Sequence, residues 1–312
     1  MKKDLKKTKD LKKAKDFRMI RQPTEDPMDG VYVPVFENPM DGVYEPVPED
    51  PMDGLYAQLA LDYCCSMDQV KGKDNVFTTF EKITGRRRFD GDDCFFKMAS
   101  IKGKILATGS DRLMPEIKKL FENKEGSWAF EAPRMRKVND ILLPHGYEIE
   151  QIHPFFFSFE LADVADITST VKRKMTEADR MMNLDVRILE RGEIETYRGD
   201  KRFNRAFSFL PNVPDVIGVK ISDQGKILAM AGASADSPEF YQIGIDVAPE
   251  ARGFNLGSLA VGYLKNEILR RDKVPYYGTA VSHTLSQNIA IQCGFRLGWT
   301  ELITREIQNA SE

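Results

Sequence analysis

The sequence predicts a protein of the α/β (α+β) class. A mostly antiparallel mixed sheet fills its C-terminal half. A smaller α+β domain precedes that half, and a repeat-bearing N-terminal tract comes first. Three observations predict this layout. From Asp215 onward the apolar segments read strand, strand, strand, helix, strand, helix, strand. Between residues 57 and 165, short β-branched and aromatic runs alternate with proline-opened helical stretches. Before residue 54, the tetrapeptide PMDG occurs three times, beginning at Pro27, Pro39 and Pro51, with too little apolar surface around it for a core.

These observations divide the chain into 1–54, 55–165 and 166–312. In the first region, residues 1–22 carry eight Lys and two Arg against three Asp, while residues 24–54 carry nine Asp or Glu and no Lys or Arg. The basic arm could touch RNA or an anionic membrane, or pair with the acidic tract beside it. In each repeat, Pro presets a turn and Gly accepts the positive φ that closes it. The first two copies run into proline-bearing extended tails, so turn-plus-extended segments, disordered alone, are expected. The third runs into AQLALDYCC, where apolar density rises. It reads as the true start of the first domain, with the other two as its duplicates. Tyr56 should then be more buried than Tyr32 or Tyr44.

In the second region, DDCFFKMASIKGKILATGS reads as two strands around a tight turn at Lys102-Gly103. Pro115 and Pro133 open helices, and Gly146 follows the second. Trp128, Phe130 and PFFFSFE supply core, and the triplet Arg86-Arg87-Arg88 reads as a solvated loop, with a phosphate contact as the alternative. In the third region, TEADRMM is expected to be helical and LDVRILERGEIETY to lead into the sheet. DVIGVKI and KILAMAGASA flank the Asp223-Gln224-Gly225 turn. FYQIGIDV, PYYGTAVS and RLGWTELITREI are further strands, while GSLAVGYLKNEILRR and SQNIAIQ are helices.

Composition narrows the function classes. Hydrophobic residues at 42% and charged residues at 30% are a globular balance, and no apolar run approaches the roughly 20 residues of a membrane span. No apolar stretch backs the basic N-terminus, so no export signal is read. Four cysteines without CxxC spacing imply reduced thiols and a cytoplasmic location. Three scattered histidines argue against a metal site. A net charge of −3 makes the whole chain an improbable nucleic-acid binder.

The chemistry concentrates in GIDVAPEARGFNLGS, residues 244–258. A strand ends at Val247, Pro249 stops it, and a short loop opens a long helix. The first amides of that helix lack internal partners and face the positive end of its dipole. Gly253 and Gly257 leave the backbone bare, so an anion such as a diphosphate can approach. Alone, such a loop is equally an ordinary strand-to-helix connection. However, V-x-P-x-x-R-G-x-x-L-G at a strand end resembles the acyl-CoA pyrophosphate loop of the GNAT superfamily of N-acetyltransferases. The segment SHTLSQNIAIQCGF resembles that superfamily's second CoA-contacting unit. The resemblance covers about 215–300 strongly, 57–165 with few motifs, and 1–50 not at all. It is closest to a bacterial branch with an extra N-terminal domain, which could be a degenerate copy of the same fold.

The resemblance implies that the strand ending at Val247 and the strand PYYGTAV pair and then splay apart, with the pantetheine of acetyl-CoA between them. Backbone groups of Ile245 and Val247 would hold it. The amides of Arg252, Gly253, Asn255, Leu256, Gly257 and Ser258 would take the pyrophosphate, with His283 and Ser286 beside the cofactor. The chain departs from the pattern in four places, one of them His283, which stands where this branch usually has Asn. Asn255 replaces a loop glycine, although Asn tolerates positive φ. The usual tyrosine acid falls at Ala290 and the usual glutamate base at Tyr241. Candidate proton handlers are therefore His283, Asp246, Tyr241 and the pair Tyr276-Tyr277. Each also has a structural reading, as a cap, a strand hydrogen bond or core. Cys293 reads as a small buried residue. The implied activity is direct transfer of acetyl from acetyl-CoA to a primary amine, without metal. Two alternatives remain: a non-catalytic acyl-CoA-binding module, and an interaction protein working through its repeats. If the repeats are dispensable, deleting residues 1–50 will leave folding by circular dichroism and acetyl-CoA binding by calorimetry intact. Loss of either would make the tract part of the working fold.

Overall fold

The computed structural model describes residues 52–88, 93–175 and 183–307. Its strands are β1 (Val76–Thr79), β2 (Phe96–Ile101), β3 (Lys104–Gly109), β4 (Tyr147–Phe157), β5 (Leu184–Glu190), β6 (Asp215–Asp223), β7 (Lys226–Ala235), β8 (Phe240–Val247), β9 (Val274–Gly278) and β10 (Arg296–Glu306). They form one ten-stranded sheet in the order β1-β3-β2-β10-β4-β9-β8-β7-β6-β5. Among the described strands, only the pairs β1–β3 and β8–β9 are parallel. The last strand, β10, lies between β2 and β4, so the sheet runs without a break from residues before 165 to residues after it.

The helices are α1 (Met52–Asp62), α2 (Met67–Lys71), α3 (Met114–Phe121), α4 (Ala132–Leu142), α5 (Val164–Lys174), α6 (Arg191–Ile194), α7 (Leu256–Arg270) and α8 (Thr284–Gln292). None of the described helices is long and apolar enough to cross a membrane. Local chemistry sets many of the joints. The β2–β3 turn has φ 48° at Lys102 and 78° at Gly103, and the β6–β7 turn has φ 47° at Gln224 and 83° at Gly225. Two successive residues with positive φ match the right-handed twist of a hairpin. Ser66 and Gln69 form a capping box on α2. Pro115 and Pro133 sit in the first turns of α3 and α4, where a missing N–H costs least.

Strand alternation separates the core into layers. On one face of β2, Ala99 and Ile101 pack with Leu55 and Leu59 of α1, together with Phe155, Phe157 and Trp299. On the other face, Phe96 and Met98 pack with Ile117 of α3 and Val138 of α4. In the C-terminal half, α5 and α7 cover β6, β7 and β8 through Ile167, Val171, Leu259 and Leu264.

Several expectations change here. The third PMDG copy is helical from Met52, so the first folded element begins inside the region assigned to the tract, not after residue 54. Tyr56 is 3% exposed; Tyr32 and Tyr44 lie outside the described residues, as does all of TEADRMM. Trp128 is 57% exposed and sits in a one-turn helix on the surface rather than in the core. The arginine triplet is not a solvated loop: Arg87 is 1% exposed. Its Nε donates to Asp62 of α1, and its Nη2 donates to Glu301 of β10 at 2.8 Å. The guanidinium stacks over Trp299 at 4.9 Å and lies 5.6 Å from the Tyr276 ring. Tyr63 and Trp299 also donate to Glu301, at 2.9 and 3.2 Å. Burial alone would raise the Asp62 carboxyl, yet Arg87, backed by Lys97, holds it below the usual carboxylate range. Because the folded value is depressed, its stabilisation is present above the ordinary Asp value and is lost as pH falls through the folded value. Removing one member of such a cluster strands the others in the core. Arg87→Ala should therefore cost roughly 3–5 kcal/mol in urea unfolding, whereas Arg296→Ala, whose partner Glu160 is also exposed, should cost less than about 1 kcal/mol.

Candidate functional site

The site starts where the ladder between β8 and β9 ends. The first residues of β9 pair with β8 (Phe240↔Val274, Tyr241↔Pro275, Gln242↔Tyr276). On its other edge β9 pairs with β4 from Tyr276 to Gly278. Beyond Gln242, β8 keeps β7 on one side as far as Val247 but has no strand on the other. The Ala248 N–H donates to Leu228 at the end of β7. Since successive residues of a strand point their amides to opposite sides, Ile243, Ile245 and Val247 aim theirs into the open gap. An extended ligand can therefore complete the sheet there, as a peptide adds to a sheet edge.

The helix α7 begins directly over this gap. A Cβ on Gly257 would lie 3.2 Å from Ile245 and 3.3 Å from Val247, so the glycine lets the helix end approach the strand. The loop before it turns through Gly253 at φ 89° and Asn255 at φ 68°. Asn255 thus takes the left-handed conformation that the replaced glycine would have supplied. The first helical bond is Leu259 N–H to the Asn255 carbonyl at 3.2 Å, which leaves the amides of Leu256, Gly257 and Ser258 facing the loop. A cavity of about 310 Å³ opens here, lined by this loop, Arg252, Lys174 of α5, and Leu285, Asn288 and Gln292 of α8. Bare amides, a helix N-terminus and two cationic side chains fit a phosphate-bearing group. The Ser258 hydroxyl donates to Gln292 at 2.7 Å, which ties the start of α7 to the end of α8. Buried Lys265 of α7 donates to the Cys293 carbonyl at 2.6 Å and holds the end of α8 in place.

The opposite face of β8 carries a second cavity of about 280 Å³. Its wall is the segment Arg205-Ala206-Phe207, which lies flat across three strands because Gly218, Gly232 and Gly244 are cross-strand neighbours. A Cβ on Gly244 would stand 1.9 Å from the Arg205 carbonyl, and one on Gly232 would stand 2.0 Å from the Ala206 carbonyl. Asp246 fixes the segment further by accepting from the Arg205 and Ala206 amides at 2.9 and 3.0 Å. Asp236 lines this cavity and is 4% exposed. It accepts from Ser234 at 2.6 Å and from the Tyr276 hydroxyl. Tyr276 also donates to Gln242, its partner in the last β8–β9 pair. Burial pushes the Asp236 carboxyl up to about 6, against the pull of these hydrogen bonds and of Arg87.

The structure gathers Ile245, Val247, Arg252, Gly253, Asn255, Leu256, Gly257 and Ser258 around the gap and its first cavity. The other named residues are placed differently. His283 is exposed at the start of α8 and does not line that cavity. Ser286 is buried, and its hydroxyl meets that of Tyr277 at 3.1 Å. Tyr241 packs into the core on the α7 side, away from the second cavity. Tyr276, Tyr277 and Cys293 are buried. Lys174, Asn288 and Asp236 escaped the sequence reading. For Asp236 the available signal was an acidic residue in the turn between two apolar strands, which alone resembles any turn aspartate.

A run of antiparallel strands β5–β8, a parallel β9 that leaves β8 halfway, and a glycine-bearing loop into a helix over the split are the features that the sequence resemblance implied. No family model matches the chain, and no curated protein matches it. Among solved structures, a GCN5-related N-acetyltransferase-like protein from Streptococcus suis 89/1591 matches with a TM-score of 0.43 at 13% identity, over 81% of this chain and 100% of that one. A GCN5-related N-acetyltransferase from Kribbella flavida matches with a TM-score of 0.38 at 14% identity, over 55% of this chain and 64% of that one. A tandem GNAT protein from the clavulanic acid biosynthesis pathway matches with a TM-score of 0.36 at 11% identity, over 55% of this chain and 59% of that one. The chain thus spans less than two thirds of the last two proteins.

The glycine stripe is what lets the C-terminal half hold its second wall. Gly244→Ala should lower unfolding stability by about 1–3 kcal/mol, the usual cost of overpacking. Gly192→Ala, where a Cβ meets nothing within 4 Å, should not be destabilising in the same assay.

Proposed function

We propose that the chain is an acetyl-CoA-dependent N-acetyltransferase of the GNAT superfamily that transfers acetyl directly to a primary amine in a ternary complex. The observation that carries this reading is the split between β8 and β9, with a phosphate-receptive cavity on one face of β8 and an acid-lined cavity on the other. The pyrophosphate is held by the amides from Gly253 to Ser258, with Arg252 and Lys174 as counter-charges. The pantetheine arm takes the strand position that β9 vacates, bonded to Ile245 and Val247. The Val247 amide, aimed into the gap, polarises the thioester carbonyl as negative charge develops on its oxygen.

The amine arrives from the second cavity. It must be neutral to attack, and Asp236 is the group placed to take its proton, with Tyr276 linking it to Gln242 at the split. A base of this kind acts when ionised, and a value of about 6 keeps it ionised at neutral pH. The positions where the resemblance expects an acid and a base hold Ala290 and Tyr241. A separate acid is dispensable, because a thiolate with a pKa of about 8.5 leaves without one. The remaining rate comes from holding amine and thioester together.

Acetyl-CoA binding by calorimetry, together with free-thiol release in the presence of a panel of amines, tests the reading. Binding with turnover of at least one amine is expected. Binding without turnover of any amine would favour a non-catalytic acyl-CoA module. Asn255→Val imposes left-handed strain of about 1–2 kcal/mol and should weaken acetyl-CoA by roughly ten-fold, while Asn255→Gly should keep its affinity. With a fixed amine, kcat/KM should rise as pH is raised through about 6. Asp236→Asn should remove that limb and leave the acetyl-CoA dissociation constant unchanged.

A further inference from the structure

The second cavity carries more charge than proton removal requires. Asp215, in its wall, is satisfied within the fold: it accepts from the Ser208 and Phe209 amides at 3.3 and 2.7 Å. Asp236 is held by Ser234 and Tyr276. A carboxylate has about four acceptor sites, so Asp236 can still receive one N–H from a ligand. The two basic side chains of the cavity stand differently. Arg88 and Arg205 line it, both are exposed, and neither guanidinium has a hydrogen-bond or ion-pair partner among the described residues. Glu150, also exposed at this cavity, has none either. The open charges at the mouth are therefore two positive and one negative, while the open acceptor at the floor belongs to Asp236.

We infer that the acceptor is a free amino acid, whose carboxylate is bound by Arg88 and Arg205 while its amine is delivered past Asp236 and Gln242 to the split. This rests on the transferase reading above and adds the substrate class to it. A guanidinium presents two parallel N–H groups that match a carboxylate. The two guanidiniums at the mouth suit a single carboxylate, whereas the carboxylates of Glu150, Asp215 and Asp236 in the same cavity would repel the second negative charge of a phosphate ester. A cavity of about 280 Å³ holds one amino acid and excludes a folded protein segment. The arrangement also gives direction: with the carboxylate at the exposed mouth, the amine is the end that reaches the buried floor.

The test uses the full chain and matched probes that differ only by the carboxylate: L-lysine against cadaverine, L-tyrosine against tyramine, and L-histidine against histamine. Thiol release from acetyl-CoA is measured for each, and direct binding is measured by saturation-transfer NMR without acetyl-CoA. A charge-assisted contact worth its usual amount gives at least one amino acid a kcat/KM roughly ten-fold or more above its amine. The double variant Arg88→Ala/Arg205→Ala should reduce that ratio to about two-fold or less, chiefly through KM, and leave the acetyl-CoA dissociation constant unchanged. Both side chains are exposed, and near-UV circular dichroism checks that the variant remains folded. Amines turned over as well as their amino acids, or a preference that survives in the double variant, would overturn the acceptor assignment while leaving transfer standing. Amino acids that bind in NMR and lose binding in the double variant, with no thiol released, would uphold the assignment and overturn transfer. Absence of both binding and turnover for all three amino acids overturns the assignment.

Discussion

The buried guanidinium of Arg87 is the constraint on which the molecule is arranged. It joins Asp62 of α1 to Glu301 of β10 and stacks on Trp299 beside Tyr276. A charge that deep is tolerated only when its partners are in place. Helix α1, the last strand of the chain and the strand at the split must therefore assemble together. Tyr276 is the last residue of β9 paired with β8 and the first paired with β4 on the other edge, so the ion cluster lies beside the candidate site. The cluster also keeps Asp236 from rising further, since Arg87 opposes the effect of burial on that carboxyl.

The second region therefore does more than cover one side of the C-terminal half. It supplies β4, the strand that holds the far edge of β9, and it supplies the arginine that lies against Tyr276. Gln58 of α1 adds a further tie by accepting from Ser237 at 2.8 Å, next to Asp236. The gap opens because β9 keeps β4 along one edge through Gly278, while its ladder with β8 on the other edge stops at Gln242↔Tyr276. The glycine stripe Gly218-Gly232-Gly244 solves a different problem, letting a connecting segment lie against the sheet and wall off a cavity without an additional helix.

Legibility in the sequence followed the range of the interactions. The tight turns at Lys102-Gly103 and Gln224-Gly225, the proline-opened helices α3 and α4, and the loop from Val247 to Leu256 all depend on residues a few positions apart. The left-handed Asn255 belongs with them, because its conformation follows from the side chain and the helix start beside it. Trp128 misled because a large apolar side chain is a weak guide to burial when it falls in a one-turn helix at the surface. The arginine triplet misled because its partners Asp62 and Glu301 lie 25 and 214 residues away. His283 and Tyr241 drew attention by residue type, yet the direction of each side chain is set by which face of α8 or β8 it occupies.

The sequence by itself determined the order of strands and helices, the bare amides at the start of α7 and the resemblance carried by GIDVAPEARGFNLGS. These are local: backbone preference, caps and spacing decide them before the chain closes. Only the tertiary structure decided that β10 inserts between β2 and β4, that Arg87 is buried, and that Asp236 meets Tyr276 and Gln242 at the mouth of the split. Those outcomes depend on which distant groups share one desolvated volume, and the cost of burying a charge or a carboxyl is set by those neighbours rather than by the residues beside it in the chain.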